Sequence, residues 1–395
     1  VDKLVQSKTL IEKLSTSSLK MGIIAGGQLG KMLIQEASRW DIETYVLDPD
    51  EACSARSVAS FYVKGDFRDF DAVYAFGKQV DILTFELEDV NIPALQKLKA
   101  EGLNIAPDPD VLALIQDKGL QKAFYAKHHL PSSNFALYES SDAIKEAITK
   151  GKLSYPFVQK LRKGGYDGRG VALIHSPDKE LLEGASVVER KVAIDKEIAV
   201  IVARNSADEV RCFPAVEMSF DEQTNLVEEI FCPANLTTEQ ATKAQSLAIE
   251  IIRALDMVGL LAVEFFIDQE GQILINEVAP RPHNSGHHTI DSMLTSQHKQ
   301  LLRAILGLPL GTTEVLKKSV MLNLLGEAGH EGAVYYEGFE ACMAIEGVKI
   351  HLYGKKETRP SRKMGHVTIL SDSLEHAQHK ANIVKNTLKV KSCKQ

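Results

Sequence analysis

Two apolar strands, each carrying a glutamate, constrain this chain more than any other stretch. Leu260 to Ile267 and Gln272 to Asn276 are joined by the turn Asp268-Gln269-Glu270-Gly271; Glu264 lies inside the first run and Glu277 directly ends the second. A carboxylate in such a run is costly to bury unless it is paired or holds a cation. A hairpin that sets two carboxylates side by side offers hard oxygen ligands, suited to Mg²⁺ bridging nucleotide phosphates. The competing reading is a structural ion pair between a glutamate and Arg281.

The next residues, Val278 to His288, form a dense run of donors with no apolar face, as expected of a site loop. His283, His287 and His288 lack the HExxH spacing, so a zinc site is not expected. Upstream, Lys160 to Gly170 holds four glycines and flanking cations between strand-like runs at Tyr155 to Lys160 and Val171 to His175. Glycine lets successive N–H groups approach an anion, so the loop reads either as a phosphate cradle or as a hairpin tip with solvated charges. A second loop, Lys355 to His366, carries five cations, Lys355, Lys356, Arg359, Arg362 and Lys363, in a chain of net charge −7; it is a solvated tip or a phosphate pocket.

The N-terminal third alternates strand and helix. Met21 to Ala25 reads as a buried strand, and Gly26-Gly27-Gln28-Leu29-Gly30 turns into a helix with Leu29, Leu33, Ala37 and Trp40 at helical spacing. A strand from Thr44 to Leu47 ends in Asp48, which nearly copies a dinucleotide fingerprint, but Ala25 stands where its first glycine belongs. The spacing predicts an α/β domain whose first helix N-terminus could hold a phosphate. The strand Asp81 to Glu86 puts Glu86 at its carboxyl end as a ligand candidate, with Glu88 and Asp89 read as solvated loop charges. Asp110 to His129 reads as helical with a break at Gly119.

At 395 residues the chain is expected to hold several domains. These are an extension over 1–20, disordered or helical; an α/β domain over 21–121; a small α+β lid over 122–197; a core with the metal site over 198–310; and a strand-rich part packed on that core over 311–395. The negative charge argues against nucleic acid or an anionic membrane as partner, and no apolar run is long enough to span a bilayer. Five scattered cysteines without a CxxC point to neither disulfides nor zinc. Residues 1–20 carry no signal-peptide core, so a cytoplasmic location is expected.

The strings GGQLGKM (26–32), QKLRKGGYDGRG (159–170), ERKVAIDKE (189–197), EFF (264–266), INEVAPRPHNSGH (275–287) and KETRPSRKMGH (356–366) occur in order. Together they resemble the N5-carboxyaminoimidazole ribonucleotide synthetase (PurK) family of the ATP-grasp superfamily. The resemblance implies a three-domain ATP-grasp fold: a doubly wound parallel-sheet domain, a small α+β lid and a larger antiparallel-sheet domain, with ATP between lid and body. It implies a ligase of purine biosynthesis that joins bicarbonate to 5-aminoimidazole ribonucleotide with ATP and Mg²⁺, Mn²⁺ being an alternative, and that works as a homodimer.

Carried over by motif, Lys118, Lys160 and Gly165, Tyr166, Asp167, Gly168, Arg169, Gly170 and Val171 would enclose the ATP phosphates. Glu189, Arg190, Lys191 and Val192 would line the adenine, Glu197 would take the ribose, and Glu264 and Glu277, with Asn276 adjacent, would hold the metal. Arg281, His283 and Asn284, with Tyr166 and Asp167, are the expected catalytic groups; Gln28, Leu29, Glu86, Tyr166, Arg169, Lys356, Arg359, Arg362 and Lys363 are expected to bind the ribonucleotide. Two positions depart from the pattern: Ala279 stands where many ATP-grasp enzymes have a metal-binding Asn, and Phe220 where relatives often have a nucleotide-site His. The rivals are another ATP-grasp ligase such as a formate-dependent transformylase, a nicotinamide-dependent oxidoreductase, and a nucleotide sensor without turnover.

Overall fold

The computed structural model describes residues 3–164, 170–221 and 226–393. Helix α1 (Lys3–Ser15) leads into a parallel sheet of β1 (Lys20–Ile24), β2 (Glu43–Asp48), β3 (Phe61–Lys64), β4 (Ile82–Phe85) and β5 (Asn104–Ile105), in the order β3-β2-β1-β4-β5. Strands β1 and β4 are almost continuously apolar and buried, as parallel strands covered on both faces must be. The cover comes from helices including α2 (Gln28–Ala37), α3 (Phe70–Gly77) and α4 (Ile92–Ala100). Strand order reverses between β1 and β4, and the crevice at their carboxyl ends holds Gly26 to Gly30 and Glu86.

The stretch from Ser7 to Leu19 packs into the fold. Leu10 and Leu19 are 4% and 1% exposed, and they share one core with Ile34 of α2 and with Ala203 and Leu306 of the body. Ser7 Oγ also lies 2.8 Å from Ser206 Oγ. The helical spacing of Leu10 and Leu14 supplies the apolar stripe that seats α1.

Helices α5 (Pro109–Ile115) and α6 (Lys118–Lys127) break at Gln116 and Asp117, not at Gly119. Asp117 caps α6, accepting the N–H groups of Gly119 at 2.8 Å and Leu120 at 3.2 Å. The same carboxylate takes a two-point contact from Arg162 of the lid, at 2.9 and 2.8 Å. A Cβ on Gly119 would come within 2.7 Å of Arg162 Nε, so the glycine permits this approach instead of ending the helix.

The lid is an antiparallel sheet in the order β6-β9-β7-β8, built from β6 (Phe135–Tyr138), β7 (Phe157–Leu161), β8 (Val171–Ile174) and β9 (Ser186–Arg190), with α7 (Ser141–Thr149) over Ile144, Phe157, Ile174 and Val188. The body follows with β10 (Ile194–Arg204), β11 (Val210–Cys212), β12 (Val216–Phe220), β13 (Val227–Cys232), α8 (Thr238–Ala254), β14 (Gly259–Asp268), β15 (Ile273–Ala279), α9 (Thr289–Ser292) and α10 (Gln297–Ile305). The chain ends with β16 (Lys318–Leu325), β17 (Gly332–Glu337), α11 (Phe339–Met343), β18 (Val348–Leu352), β19 (Glu357–Thr358), β20 (Lys363–Ser371), α12 (Leu374–Thr387) and β21 (Lys389–Ser392).

The segment after 310 continues the sheet of the body. Strand β16 pairs with β13, so one sheet runs β15-β14-β10-β12-β13-β16-β20-β18 with β11 beside β10. A smaller sheet, β19-β17-β21, lies outside it. Helix α8 starts at a Thr237–Gln240 capping box and buries Ala244, Leu247, Ala248, Ile251 and Ile252 in the cluster that holds Val263 and Ile275 of the glutamate hairpin.

Candidate active site

Strands β14 and β15 place Glu264 directly opposite Glu277, with a register shift just after Glu264. Lys118 Nζ lies 2.5 Å from Glu277 Oε2, and His283 Nε2 lies 3.2 Å from Glu264 Oε1. Lys160, on the lid, bonds Asn276 Oδ1 at 2.9 Å and lies 3.2 Å from Glu189 Oε2. Burial alone would raise the Glu277 carboxyl, but the Lys118 and Lys160 charges outweigh it and hold the group well below the usual carboxylate range. Burial likewise opposes the Lys118 ammonium, yet Glu277 leaves its pKa raised.

Among the described residues, the Arg281 guanidinium meets a carboxylate outside the hairpin. Arg281 Nε lies 2.9 Å from Glu88 Oε1 of the N-terminal domain. Glu88, expected as a solvated charge, is therefore a partner of the site loop, whereas Asp89 remains at the surface with Arg68, 2.7 Å away.

The floor of this cleft contains residues that sequence reasoning missed. Lys122 is 3% exposed, with Nζ 3.1 Å from Glu189 Oε1 and 3.0 Å from Ser133 Oγ; Ser133 in turn donates to Glu189 Oε2 at 2.9 Å. Burial and the nearby Lys160 lower the Lys122 pKa, while Lys160 and Lys122 hold Glu189 ionised against its own burial. Glu189 thus contributes a side chain to the site as well as the expected backbone. The available signal was Lys118 and Lys122 four residues apart, on one helix face. Glu197, half-buried on β10, is pushed up to about 7 by burial and then by the Glu264 charge.

Glu264, Glu277 and the Asn276 carbonyl form an all-oxygen set that fits a hard cation. Among the described residues, no group of three or more His, Cys, Asp or Glu side chains could hold a metal by itself. The remaining ligands would then come from phosphate oxygens and water. Ala279 faces Ala262 across the hairpin and Phe220 packs partly buried against the main core, so neither replaces the family's polar group.

The loop after Glu277, expected as a run of donors with no apolar face, is buried over much of its length. Residues Ser285 to Thr289 are buried, and His287 and His288 are each 2% exposed. Both are held below the usual histidine range by burial, and their Nδ1 atoms meet Gln297 Nε2 at 3.1 Å and Ser292 Oγ at 2.8 Å. Asn284 is different: both its carboxamide atoms are buried and make no hydrogen bond among the described residues. An unbonded buried carboxamide is costly in a finished core but ready for a ligand.

At the N-terminal crevice, Glu86 accepts the N–H groups of Gly27, at 2.5 Å, and Gly30. The start of α2, expected to hold a phosphate, is filled by this carboxylate. Burial raises the Glu86 pKa against these two bonds. Asp48 does not face a ribose either; it accepts the N–H groups of Gly26 at 2.7 Å and Asp50 at 2.8 Å. Gln28 is half-buried in the first turn, and Leu29 packs with Met32, Tyr353 and Ile290.

The cation loop meets this crevice. Lys355 donates to the Lys363 carbonyl at 2.7 Å, and burial followed by the Arg362 charge lowers its pKa to about 8. Glu86, Lys363 and Arg359 also act on it, so Lys355 joins the expected ribonucleotide residues. Lys356 acts on Lys31 of α2, which donates to the Leu352 and Tyr353 carbonyls at 3.3 and 3.2 Å. Arg362 bonds the Glu357 carbonyl at 2.6 Å, while Lys356 and Arg359 are exposed.

Gly165, Tyr166, Asp167, Gly168 and Arg169 lie outside the described residues. Their flanks form an antiparallel hairpin: Lys160 pairs with Val171, and Leu161 N–H donates to the Gly170 carbonyl at 2.8 Å. Arg190 and Lys191 are exposed and Val192 is half-buried where the chain passes from β9 to β10.

Comparison with known proteins matches three family descriptions along the chain: a ribonucleotide synthetase preATP-grasp domain over 18–116, an ATP-grasp domain over 123–298, and a phosphoribosylaminoimidazole carboxylase C-terminal domain over 319–380. The N5-carboxyaminoimidazole ribonucleotide synthase of Bacillus subtilis is 34% identical over 356 residues, covering 89% of this chain and 91% of that protein. The crystal structure of N5-carboxyaminoimidazole ribonucleotide synthetase from Thermotoga maritima superposes with a TM-score of 0.87 at 40% identity, covering 95% of this chain and all of that one (100%). The Aspergillus clavatus N5-carboxyaminoimidazole synthase, solved with ADP and 5-aminoimidazole ribonucleotide, gives a TM-score of 0.84 at 30% identity, covering 93% of this chain and 98% of that one. The chain spans about two thirds of the length of the phosphoribosylaminoimidazole carboxylases it matches in a plant and a yeast, 64% and 70%. No helix among the described residues is long and apolar enough to cross a membrane. With the parallel crevice domain, the lid and the paired carboxylates in one continuous alignment, this chain belongs to the N5-carboxyaminoimidazole ribonucleotide synthetase family of ATP-grasp proteins.

Proposed function

We propose that the chain converts ATP, bicarbonate and 5-aminoimidazole ribonucleotide to N5-carboxyaminoimidazole ribonucleotide, ADP and phosphate, a carbon–nitrogen ligation of purine biosynthesis. The observation that carries the reading is the loop Arg281 to Asn284 between two charged sites. On one side lie the Glu264–Glu277 pair and Lys118; through the Arg281–Glu88 contact, the other side is the crevice domain that meets the cation loop. A nucleotide fits the first site and a ribose phosphate the second.

In this reading Lys118 and Lys160 exchange their carboxylate and carboxamide partners for ATP phosphate oxygens. The segment Glu189 to Val192 lines the adenine, with Glu189 fixed by Lys122 and Ser133. Glu197 accepts from the ribose hydroxyls. Glu264, Glu277 and Asn276 would hold Mg²⁺ or Mn²⁺, which supplies charge neutralisation and orientation of the phosphates when bound. A bicarbonate oxygen attacks the γ-phosphorus and ADP leaves, giving carboxyphosphate. The ribonucleotide amine then attacks its carbonyl carbon, directly or as released CO₂, and phosphate departs.

Arg281, His283 and the unbonded Asn284 carboxamide are the groups assigned to charge developing on bicarbonate. Gln28, Glu86, Tyr166, Arg169, Lys356, Arg359, Arg362 and Lys363 are assigned to the ribonucleotide, with Lys355 beside them. A cytoplasmic homodimer is part of the proposal, checked by fractionation and sedimentation. The deciding assay is ATP hydrolysis, expected to require both aminoimidazole ribonucleotide and bicarbonate. Turnover supported by formate, or tight NADH binding without such turnover, overturns the proposal.

A further inference from the structure

We infer that Gln297 is the positioning residue for His283, fixing the site loop by pairing its carboxamide with both backbone groups of that histidine. Gln297 opens α10 and is completely buried, at 0% exposure. Its Oε1 accepts the His283 N–H at 2.9 Å, and its Nε2 donates to the His283 carbonyl at 2.8 Å. The second amide proton goes to His287 Nδ1, 3.1 Å away. The carboxamide therefore acts like a neighbouring β-strand, and a two-point contact fixes orientation where a single bond leaves a pivot.

The seat is built to receive it. The Gln297 N–H donates to Thr289 Oγ1 at 2.9 Å, and a Cβ on Gly286 would lie only 2.5 Å from Gln297 Oε1. Helix α10 is itself tied to α2, where Ser296 donates to Glu36 at 3.1 Å. The His283 ring is fixed from the other side: its Nδ1 accepts the Ser285 N–H at 3.3 Å and lies 2.9 Å from Ser285 Oγ. With Nδ1 accepting, the ring proton sits on Nε2, which points at Glu264 Oε1 across 3.2 Å. Backbone, tautomer and direction of the histidine are thus set by three separate contacts.

This inference rests on the proposed ligase reading, in which His283 faces bicarbonate. Displacement of a reacting group by about 1 Å can cost on the order of 100-fold in rate. In the full-length protein, Gln297→Met keeps the shape and removes every side-chain hydrogen bond of that residue. Its kcat should fall about 10- to 100-fold while the KM for ATP stays at the parent value. Gln297→Glu supplies a rescue. As a neutral acid its carboxyl has one donor and one acceptor, enough for both His283 bonds, and ionised it has no donor.

Activity of Gln297→Glu should therefore be higher at low pH and fall as that carboxyl ionises, a limb absent from the parent profile. The titratable groups around it are His283 and His287, with Glu264 beyond the first and His298 and His366 beyond the second. A parent-like kcat in Gln297→Met, a parent-like pH profile in Gln297→Glu, or an equal loss of kcat, ATP affinity and thermal stability would overturn the role. If Gln297→Met does not fold, Gln297→Glu carries the test. An independent arm reads the imidazole ¹⁵N shifts of the parent: His287 should be unprotonated at Nδ1, where it accepts from Gln297 Nε2, and a protonated Nδ1 there overturns the inference. A parent without bicarbonate-dependent turnover would instead refute the ligase reading, leaving the ¹⁵N result to judge the pairing.

Discussion

Replacing Glu197 by glutamine should stabilise the nucleotide-free protein, and increasingly so as pH rises. Glu197 is half-buried on β10, where burial and then the charge of Glu264 move its carboxyl from 4.5 to about 7. Its folded pKa lies above its unfolded one, so the folded state keeps a proton that the unfolded state has released. The associated stability is present below pH 4.5 and is lost as pH rises through about 7. At about 1.4 kcal/mol per pKa unit, the fully ionised side chain costs about 3 kcal/mol at alkaline pH. Glutamine has the same shape and does not ionise. The variant should melt with the parent near pH 4 and a few degrees above it near pH 8, measured by calorimetry in EDTA without nucleotide. Equal melting temperatures at pH 8, or a gain that is the same at every pH, would refute the assignment of that carboxyl. In the same variant the KM for ATP should rise by about tenfold, because a neutral amide accepts a ribose hydroxyl less strongly than a carboxylate.

Glu277→Gln leaves Lys118 without its counter-charge and removes half of the carboxylate pair. Turnover should fall by at least about 100-fold with an unchanged circular dichroism spectrum, and normal ATPase activity would disprove the metal role. Gly27→Ala puts a Cβ 2.2 Å from Glu86 Oε1, so the carboxylate must leave the start of α2. We expect a loss of about 1–3 kcal/mol in stability and a raised KM for the ribonucleotide with ATP unaffected; an unchanged ribonucleotide KM argues against Glu86 in that site.

The sequence by itself determined the elements and the chemistry they carry. Short, nearly continuous apolar runs specified β14 and β15, and the cost of burying carboxylates marked Glu264 and Glu277 as a pair before any register was known. The strand–helix alternation specified a parallel crevice domain, while the two cation-rich loops by themselves left a phosphate site and a solvated tip both open. Only the tertiary structure decided who meets whom. Lys118 sits on Glu277, 159 positions away. Glu86 fills the helix end that the glycine turn seemed to offer a ligand, and its partners are 59 and 56 residues distant. The polar residues that set His283, above all Gln297, carry no periodic signal because each is a single polar side chain. The reason is the range of the forces: hydrophobic periodicity and capping are fixed by neighbours within a turn or a strand, whereas the partner of a buried polar group is chosen by whichever distant atoms the packed core brings within 3 Å or so.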